Sequence, residues 1–314
     1  MSYLPAIKSY LKAGFTLIEL SIVLVIIGLI IGGVLVGRDL INAAGVRAQI
    51  SQIEKYNAAV NTFRGKYGYL PGDIPDPTAS SYGFQSRGQF VGEGDGNGIL
   101  EANPNDLPDN VWGNLQGIGE TGVFWVDLSQ AGLIGTALNT SAPAGVVPPT
   151  ASGAAVGLYL PPAKIGGGNY LYAYSGGSGT CGVAGCWTGN EVNYYGLSNV
   201  SSITTGTVTS TPGLTVSQAY AIDTKMDDGL PQSGHVLAQF LSSNWDGSQT
   251  WAGVSTNGDY TLFGFSVGGP TTVATAGNGQ TCYDNNHTGG SIQQYSMGQN
   301  NGAGINCALS FQFQ

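Results

Sequence analysis

Basic residues are scarce in the long C-terminal part of this 314-residue chain. Residues 67–314 carry only Arg87, Lys164 and Lys225 against sixteen acidic residues, which gives this part a net charge of −13. A surface of that sign repels the phosphate backbone of nucleic acids. The sequence therefore predicts no nucleic-acid partner, whereas the surplus of carboxylates is compatible with binding of divalent cations.

Residues that usually carry catalysis are also few. The chain has two histidines, His235 and His287, and it contains no Gly-x-Ser-x-Gly elbow, no His-Glu-x-x-His and no phosphate-binding loop. Ser233 and His235 follow Asp227 and Asp228 closely, but such a group arises by chance in a chain this rich in serine. We expect a protein that is not an enzyme.

Cysteine is absent before residue 181, and the chain then has Cys181, Cys186, Cys282 and Cys307. Four cysteines allow three disulfide connectivities. We expect Cys181–Cys186 and Cys282–Cys307, because these pairs close the two shortest loops. A zinc site is the alternative, although Cys181 and Cys186 have no second pair at similar spacing. Disulfides indicate an oxidising, exported compartment.

Charged residues make up 9% of the chain and glycine supplies 51 positions, so we expect a loop-rich C-terminal part with an uncharged polar surface. Glycine follows no strict three-residue period, which excludes a collagen-like structure. The 42% of hydrophobic residues suffice for a buried core. Five tryptophans belong either to that core or to a sugar-binding, adhesive surface: Trp112, Trp125, Trp187, Trp245 and Trp251.

One long hydrophobic run stands near the N-terminus. Residues 15–37 contain no charge except Glu19, and a helix of that length reaches about 34 Å, enough to cross the hydrocarbon core of a membrane. Lys8 and Lys12 precede the run and should stay in the cytoplasm. An ordinary signal peptide has its small residues after the hydrophobic region. Here Ala13 and Gly14 come before it.

The helical pattern continues past the hydrophobic run. Apolar residues recur every three or four positions, as in an amphipathic helix, at Val46, Ile50, Ile53, Val60 and Phe63, with Asn57 on the same stripe and Tyr56 and Tyr67 beside it. Gly68 followed by Pro71 is a typical helix stop. We therefore predict one helix of about 50 residues that serves as a spine.

The segment Ala13–Leu20, with a basic leader before it and an apolar run after it, resembles the N-terminus of the type IV prepilin and type II secretion pseudopilin family. The resemblance implies that prepilin peptidase cuts between Gly14 and Phe15 and that the new amine is methylated. Residues 1–14 would then be the leader and 15–37 a transmembrane and assembly helix. Residues 38–68 would be the amphipathic half of the spine, and 69–314 an extracytoplasmic head.

The same resemblance gives Glu19 a role in assembly. A carboxylate in lipid is costly unless it is protonated or paired, and in a filament Glu19 would face the N-terminal amine of a neighbouring subunit. In the free subunit, the alternative is that Glu19 reaches the cytoplasmic headgroups. The chain departs from many pilins in having Val36 where they have proline, so any softening of the helix there would depend on Gly32, Gly33 and Gly37.

The function that the resemblance implies is a structural subunit of a type IV pilus-like filament, with copies of itself or other pilins as partners. The alternatives are a minor tip pilin that acts as a binding or adhesion module and a type II secretion pseudopilus subunit. The protein would begin in the bacterial inner membrane and end in a cell-surface pilus or a periplasmic pseudopilus.

The head is predicted to be an antiparallel β-sheet with long loops, so that the whole protein is α+β, with the spine helix packed on the sheet. After a loop from Pro71 to about Asn110, the pattern predicts helices at 119–133 and 214–225 and a linker at 142–155. Strands are predicted at 169–174, 191–197, 236–240, 259–267 and 307–313.

Two acidic stretches of the head are candidate calcium loops, and no other cofactor is expected. Asp95 and Asn97 alternate with glycine and precede Glu101, although an Asp/Asn-Gly turn explains that pattern equally.

The second stretch contains Asp223, Asp227 and Asp228, and it loosely resembles the calcium loop of major pseudopilins. The alternatives are a capped turn between a helix and a strand, or neutralisation of Asp223 or Asp228 by Lys225.

Overall fold

The structure is a computed structural model. It describes residues 16–87, 93–102, 116–141, 150–176, 191–241, 249–252, 281–284, 293–298 and 300–313. The chain divides between Ala44 and Gly45 into two compact units, each of which is described by itself.

The first unit contains the start of the longest helix, α1, which runs without a break over Leu17–Tyr67. Its apolar side chains from Leu17 to Ile41 are exposed; Leu17, for example, is 88% exposed. By length and composition this helix can cross a membrane. The prediction of one continuous helix of about 50 residues is confirmed.

In the second unit, α1 buries one stripe of side chains. Val46, Ile53, Val60 and Phe63 are almost fully buried, as the helical spacing predicts. The Tyr56 ring meets Trp125 edge-on, with ring centroids 5.0 Å apart. This part of α1 is therefore an element of the core of the head.

Two buried glutamines of α1 bind a loop of the head. The Gln52 side chain donates to the Pro162 carbonyl (3.0 Å) and accepts from the Lys164 amide (2.8 Å). The Gln49 side chain accepts from the Ile165 amide (3.2 Å). These bonds satisfy polar groups that would otherwise be costly to bury, and they fix the loop against the helix.

Gly68 ends α1 in the predicted manner. Its φ is +84°, and its amide donates to the Arg64 carbonyl at 2.8 Å. Glycine adopts this left-handed conformation without a steric penalty. The loop prediction that begins at Pro71 holds in the described residues apart from the short helix α2 (Thr78–Ser81).

Two further helices and a set of strands complete the described part of the head. The helices are α3 (Gly119–Gln130) and α4 (Val216–Met226). The strands are β1 (Thr150–Ser152), β2 (Asn169–Ser175), β3 (Asn193–Thr204), β4 (Thr207–Thr211), β5 (Leu214–Thr215), β6 (Val236–Leu237), β7 (Gln239–Leu241), β8 (Gln249–Trp251), β9 (Tyr283–Asp284), β10 (Gln294–Tyr295), β11 (Ile305–Cys307) and β12 (Leu309–Gln312).

Strand β3 is the centre of the main sheet. Its first half pairs with β2 on one side and β12 on the other, and its second half pairs with β4 and β1. Strand β6 extends the sheet beyond β12, and every pairing in it is antiparallel. Tyr195 of β3 contacts Tyr56 and Trp125, with ring centroids 6.2 and 6.1 Å away. The predicted α+β architecture, with the spine packed with an antiparallel sheet, is confirmed.

Several predicted boundaries are wrong. Strand β3 continues seven residues beyond the predicted end and turns back into β4 through Thr205 and Gly206, which both have positive φ, as a tight hairpin requires. The end of the predicted linker is strand β1 and a 3₁₀ helix, Gly153–Leu158. The predicted strand 236–240 is two strands, β6 and β7.

Other predictions differ from the structure by a few residues at their ends. Helix α3 stops at Gln130, near Gly132 with φ +70°, and the last strand, β12, starts at Leu309. The predicted strand 259–267 lies outside the described residues.

One predicted disulfide is present. Cys282 and Cys307 are bonded, both are fully buried, and their Cα atoms are 4.9 Å apart. The bond ties Cys307, the last residue of β11, to Cys282, which directly precedes β9. Cys181 and Cys186 lie outside the described residues, so their pairing stays a prediction.

Candidate functional site

The start of α1 contains Glu19, the predicted assembly residue. Its carboxylate accepts from both the amide and the hydroxyl of Thr16 (2.8 Å each), and its own amide donates to the Thr16 hydroxyl (3.3 Å). This reciprocal pair is a capping box, which satisfies amides that the first helical turn leaves free. The Thr-x-x-Glu spacing is the sequence signal for a capping box. The capping box gives Glu19 a local role in addition to the predicted role in assembly. Gly14 and Phe15 lie outside the described residues.

The first acidic group of the head consists of Asp73, Asp95 and Glu120, hereafter the Asp73 cluster. One carboxylate oxygen from each lies within 4.8 Å of the others. Glu120 accepts from the amides of Gly94 (2.6 Å) and Glu101 (2.9 Å).

Asp73 completes the same arrangement from the other side of the loop. It accepts from the amides of Gly96 (2.7 Å) and Gly98 (2.8 Å). Residues 94–101 therefore wrap around two buried carboxylates, Asp73 and Glu120, that come from other parts of the chain.

Burial dominates the electrostatics of the Asp73 cluster. It raises the pKa of Asp73 to about 6, against the effect of the amides that donate to it. Burial, followed by the charge of Asp73, raises the pKa of Glu120 well above its usual range. Carboxylates of this kind bind a proton readily, and oxygen ligands of this kind are also those that calcium prefers.

The structure changes the composition of the first candidate calcium loop. Asp95 belongs to the cluster, but Asn97 forms a local turn, in which it binds the Asp95 carboxylate and accepts from the Ile99 amide. Glu101 is buried and is not part of the cluster. Sequence reasoning did not identify Asp73 and Glu120 as members of this group. Each lies more than twenty positions from Asp95, and the three residues share no local motif.

The second acidic group, hereafter the Asp223 cluster, joins the three residues that the sequence singled out. One oxygen each of Asp223, Asp227 and Asp228 lies within 4.8 Å of the others. Asp223 is fully buried and accepts from the Tyr295 hydroxyl (2.8 Å) and the Gly229 amide (3.1 Å).

Both outer members of the Asp223 cluster bind the turn that follows α4. Asp227 accepts from the amides of His235 and Val236. Asp228 accepts from the Leu230 amide (2.8 Å) and the Ser233 hydroxyl (2.6 Å). The cluster therefore caps the turn between α4 and β6.

The Asp223 cluster predicts a dependence of stability on pH. Burial raises the pKa of Asp223 to about 7. Because the folded chain then binds this proton more tightly than the unfolded chain, the stabilisation is complete below the ordinary aspartate pKa and is lost as pH rises towards 7. We expect the melting temperature of the full chain in detergent to fall between about pH 5 and pH 8.

Asp223→Asn tests that dependence. Asparagine can accept from the Gly229 amide and donate to the Tyr295 oxygen without a charge. We expect this variant to make the pH profile shallower, although Asp73 and Glu120 still titrate, and to raise the melting temperature near pH 8 by about 2–6 °C. Glu54→Gln, at an exposed position of α1, is the control. Parallel profiles for wild type and Asp223→Asn would contradict the assignment.

The residues considered for catalysis do not form a serine–histidine–aspartate array. The Ser233 hydroxyl donates to Asp228, whereas the His235 Nδ1 atom is 3.8 Å from the Asp227 carboxylate. His235 is largely exposed at its side chain. His287 lies outside the described residues. In the described part of the chain, these contacts favour a structural role for the turn.

An ion pair is buried beside the Asp73 cluster. Arg87 donates to Asp127 at 2.5 Å and to the carbonyl of Ile74 at 3.2 Å, and both charged side chains are almost fully buried. Asp127 also accepts from the Gly72 amide at 2.7 Å. The pair fixes the loop that begins at Pro71 against α3.

Arg87→Met should therefore destabilise the head strongly. It leaves the charge of Asp127 buried without its partner, which costs about 3–5 kcal/mol. Chemical denaturation of the full chain in detergent would measure the loss. Arg64→Met, at an exposed position on α1, is the control and should change stability by less than about 0.5 kcal/mol. Equal effects of both variants would contradict the role of the pair.

Both tryptophans in the described part of the chain are buried. Trp125 is 1% exposed and Trp251 is 8% exposed, so the sugar-binding interpretation is wrong for both, and they belong to the core. The other three, Trp112, Trp187 and Trp245, lie outside the described residues.

Comparison with known proteins finds a similarity at the N-terminus. A family model described as the prokaryotic N-terminal methylation motif matches residues 11–35. This segment contains Glu19 and the first part of the exposed apolar helix. No curated protein and no solved structure matches the chain.

Proposed function

We propose that this chain, which carries the N-terminal signature of type IV pilins and pseudopilins, is a structural subunit of a type IV pilus-like filament. Prepilin peptidase would cut it between Gly14 and Phe15 and methylate the Phe15 amine. The mature chain would then polymerise through the first half of α1.

The observation that carries this proposal is the match at residues 11–35 together with the exposed apolar side chains of α1. Leu17, Leu29 and Ile41 are 88%, 72% and 73% exposed. So many adjacent apolar side chains are not stable in water, and lipid or the same helix of other subunits would cover them. A processed pilin uses both environments in succession, first the inner membrane and then the filament.

The second half of α1 fits the same proposal. Val46, Ile53 and Phe63 are buried in the core of the head, and α1 is one continuous helix over Leu17–Tyr67. Movement of the helix out of the membrane would therefore carry the head with it. The motif points to a structural protein and not to an enzyme.

A minor tip pilin is the second candidate. The unit that begins at Gly45 extends to the end of the chain, which is a large head for a subunit that repeats along a filament. A tip protein would use that head to bind a surface or a partner. A pseudopilus subunit of a type II secretion system shares the same N-terminal signature.

Mass spectrometry of a sheared cell-surface fraction tests the proposal. We expect an abundant band whose first peptide begins at methylated Phe15. A processed chain at trace level would favour the tip pilin, and a processed chain found only in the periplasmic and membrane fractions would favour the pseudopilus. An intact Met1 terminus found only in membranes would contradict processing and the filament role together.

Calcium binding by the Asp73 and Asp223 clusters is a further prediction. Calcium that binds only the folded chain raises its stability, and protons compete with it for the same oxygens. We expect millimolar calcium to raise the melting temperature near pH 8 and to have a smaller effect near pH 5.

Single variants assign the calcium effect to one cluster. Asp95→Asn and Asp228→Asn change exposed members, so the fold should tolerate both. Magnesium, which prefers a stricter octahedral shell, is the control ion. A melting temperature that does not respond to calcium at either pH would contradict the prediction.

A further inference from the structure

A groove of about 550 Å³ lies in the head, beside the part of α1 that belongs to it. One wall is α1, the second is the loop that follows α3, and the third is the segment before β2. Its apolar lining includes Ala59, Leu133, Ile134 and Pro162, and its charged lining consists of Lys55 and Lys164. Among the residues that the structure describes, no carboxylate lines it.

The two lysines make this groove unusual for the head. Residues 67–314 have three basic residues. Of these three, Arg87 is buried in its pair with Asp127 and Lys225 lies in the last turn of α4. Lys164 is the basic residue of this part of the chain that lines the groove. Lys55 of α1 adds a second exposed ammonium group. An acidic segment with some apolar surface would fit this lining, because it would pair with the lysines and cover the apolar side chains.

The chain itself offers that chemistry in excess. Its residues 67–314 have a net charge of −13, and several carboxylates are exposed in the described part of the head, at Asp76, Asp95, Glu191 and Asp228. If the groove of one copy binds the acidic surface of the next, two different surfaces of identical chains meet, which is a heterologous contact. Such contacts need not close into a ring, and they can repeat without limit.

We propose that the groove is an interface between copies of this chain, in which Lys55 and Lys164 of one copy bind the acidic surface of a neighbouring head. This inference rests on the proposed function, since it adds a contact between heads to the contact between N-terminal helices. The contact between Lys164 and Gln52 uses the backbone amide of Lys164, not its side chain. The side chains of Lys55 and Lys164 can therefore be replaced without loss of this hydrogen bond.

Carbodiimide cross-linking of the full chain tests the proposal, because this reagent joins an amine to a carboxylate only where the two are in contact. It is applied to the sheared surface fraction and to the full chain extracted in detergent. We expect a product of twice the chain mass that contains this chain alone, with Lys55 or Lys164 joined to a peptide from the head. Lys55→Gln with Lys164→Gln should lower its yield about fivefold or more, and Lys225→Gln, at an exposed lysine outside the groove, should not.

Replacement of both lysines by arginine separates charge from reactivity. Lys55→Arg with Lys164→Arg should lose the cross-link but keep the wild-type amount of chain in the surface fraction, whereas Lys55→Glu with Lys164→Glu should lower that amount. The proposal is overturned if the double glutamine variant cross-links like wild type, or if the lysines are joined to a different protein. An unprocessed chain without filaments would refute the proposed function, whereas filaments without groove cross-links would refute only this inference.

Discussion

Gly14→Leu should leave the leader attached to the chain and prevent assembly. In the proposed processing step the bond after Gly14 is cut, and cleavage sites of processed leaders require small residues. The uncut chain would keep Lys8 and Lys12 and would have no free amine at Phe15. We expect the processed form to fall from most of the chain to nearly none.

Mass spectrometry of the N-terminal peptide measures the Gly14→Leu effect, together with the amount of chain in the sheared surface fraction. Gly14→Ala is the matched control, because it keeps a small residue at the same position and should retain much of the cleavage. Pro5→Ala, within the leader but away from the cut, should behave as wild type. Normal processing and assembly of Gly14→Leu would refute the assigned cleavage site.

The spine helix could be predicted from the sequence because its signals are local. The apolar run, the spacing of Val46, Ile53 and Phe63, and the stop at Gly68 each act within a few residues. The structure has the helix at Leu17–Tyr67, close to the predicted bounds. Helical periodicity and capping depend on neighbours three or four positions away, which a sequence shows directly.

The sheet of the head was predicted less well because its stability depends on distant partners. Strand β3 is long because β2, β12, β4 and β1 all pair with it, and none of these contacts is visible in its own residues. The Thr205–Gly206 turn, in particular, lacks the Asn-Gly pair that usually indicates a tight hairpin.

The two acidic clusters show the same difference between local and distant partners. Asp223 lies in the last turn of α4, and Asp227 and Asp228 follow the end of that helix directly, so their proximity could be predicted. Asp73 and Glu120 meet only because the loop at 94–101 folds around both. Asp95 is the one member of this cluster that the sequence singled out, and no local pattern connects it to the other two residues.

The contacts of Glu19 leave two explanations for this residue, and one pair of variants separates them. As a member of a capping box with Thr16, it stabilises the start of α1, and glutamine performs that role as well as glutamate. As the proposed partner of a neighbouring amine, it needs its negative charge. Glu19→Gln keeps the first role and loses the second, whereas Thr16→Val weakens the first and keeps the second.

We expect Glu19→Gln to be processed normally and to assemble poorly. Removal of one partner of a buried ion pair costs about 3–5 kcal/mol, so the amount of chain in the surface fraction should fall roughly a hundredfold or more. Thr16→Val should assemble nearly as well as wild type, because a lost cap costs only about 1 kcal/mol in a helix of this length. Leader cleavage, measured by mass spectrometry in each variant, separates assembly from processing. If Glu19→Gln assembles like wild type and Thr16→Val does not, the carboxylate acts as a helix cap, and the attraction between subunits arises from the apolar surface of α1 alone.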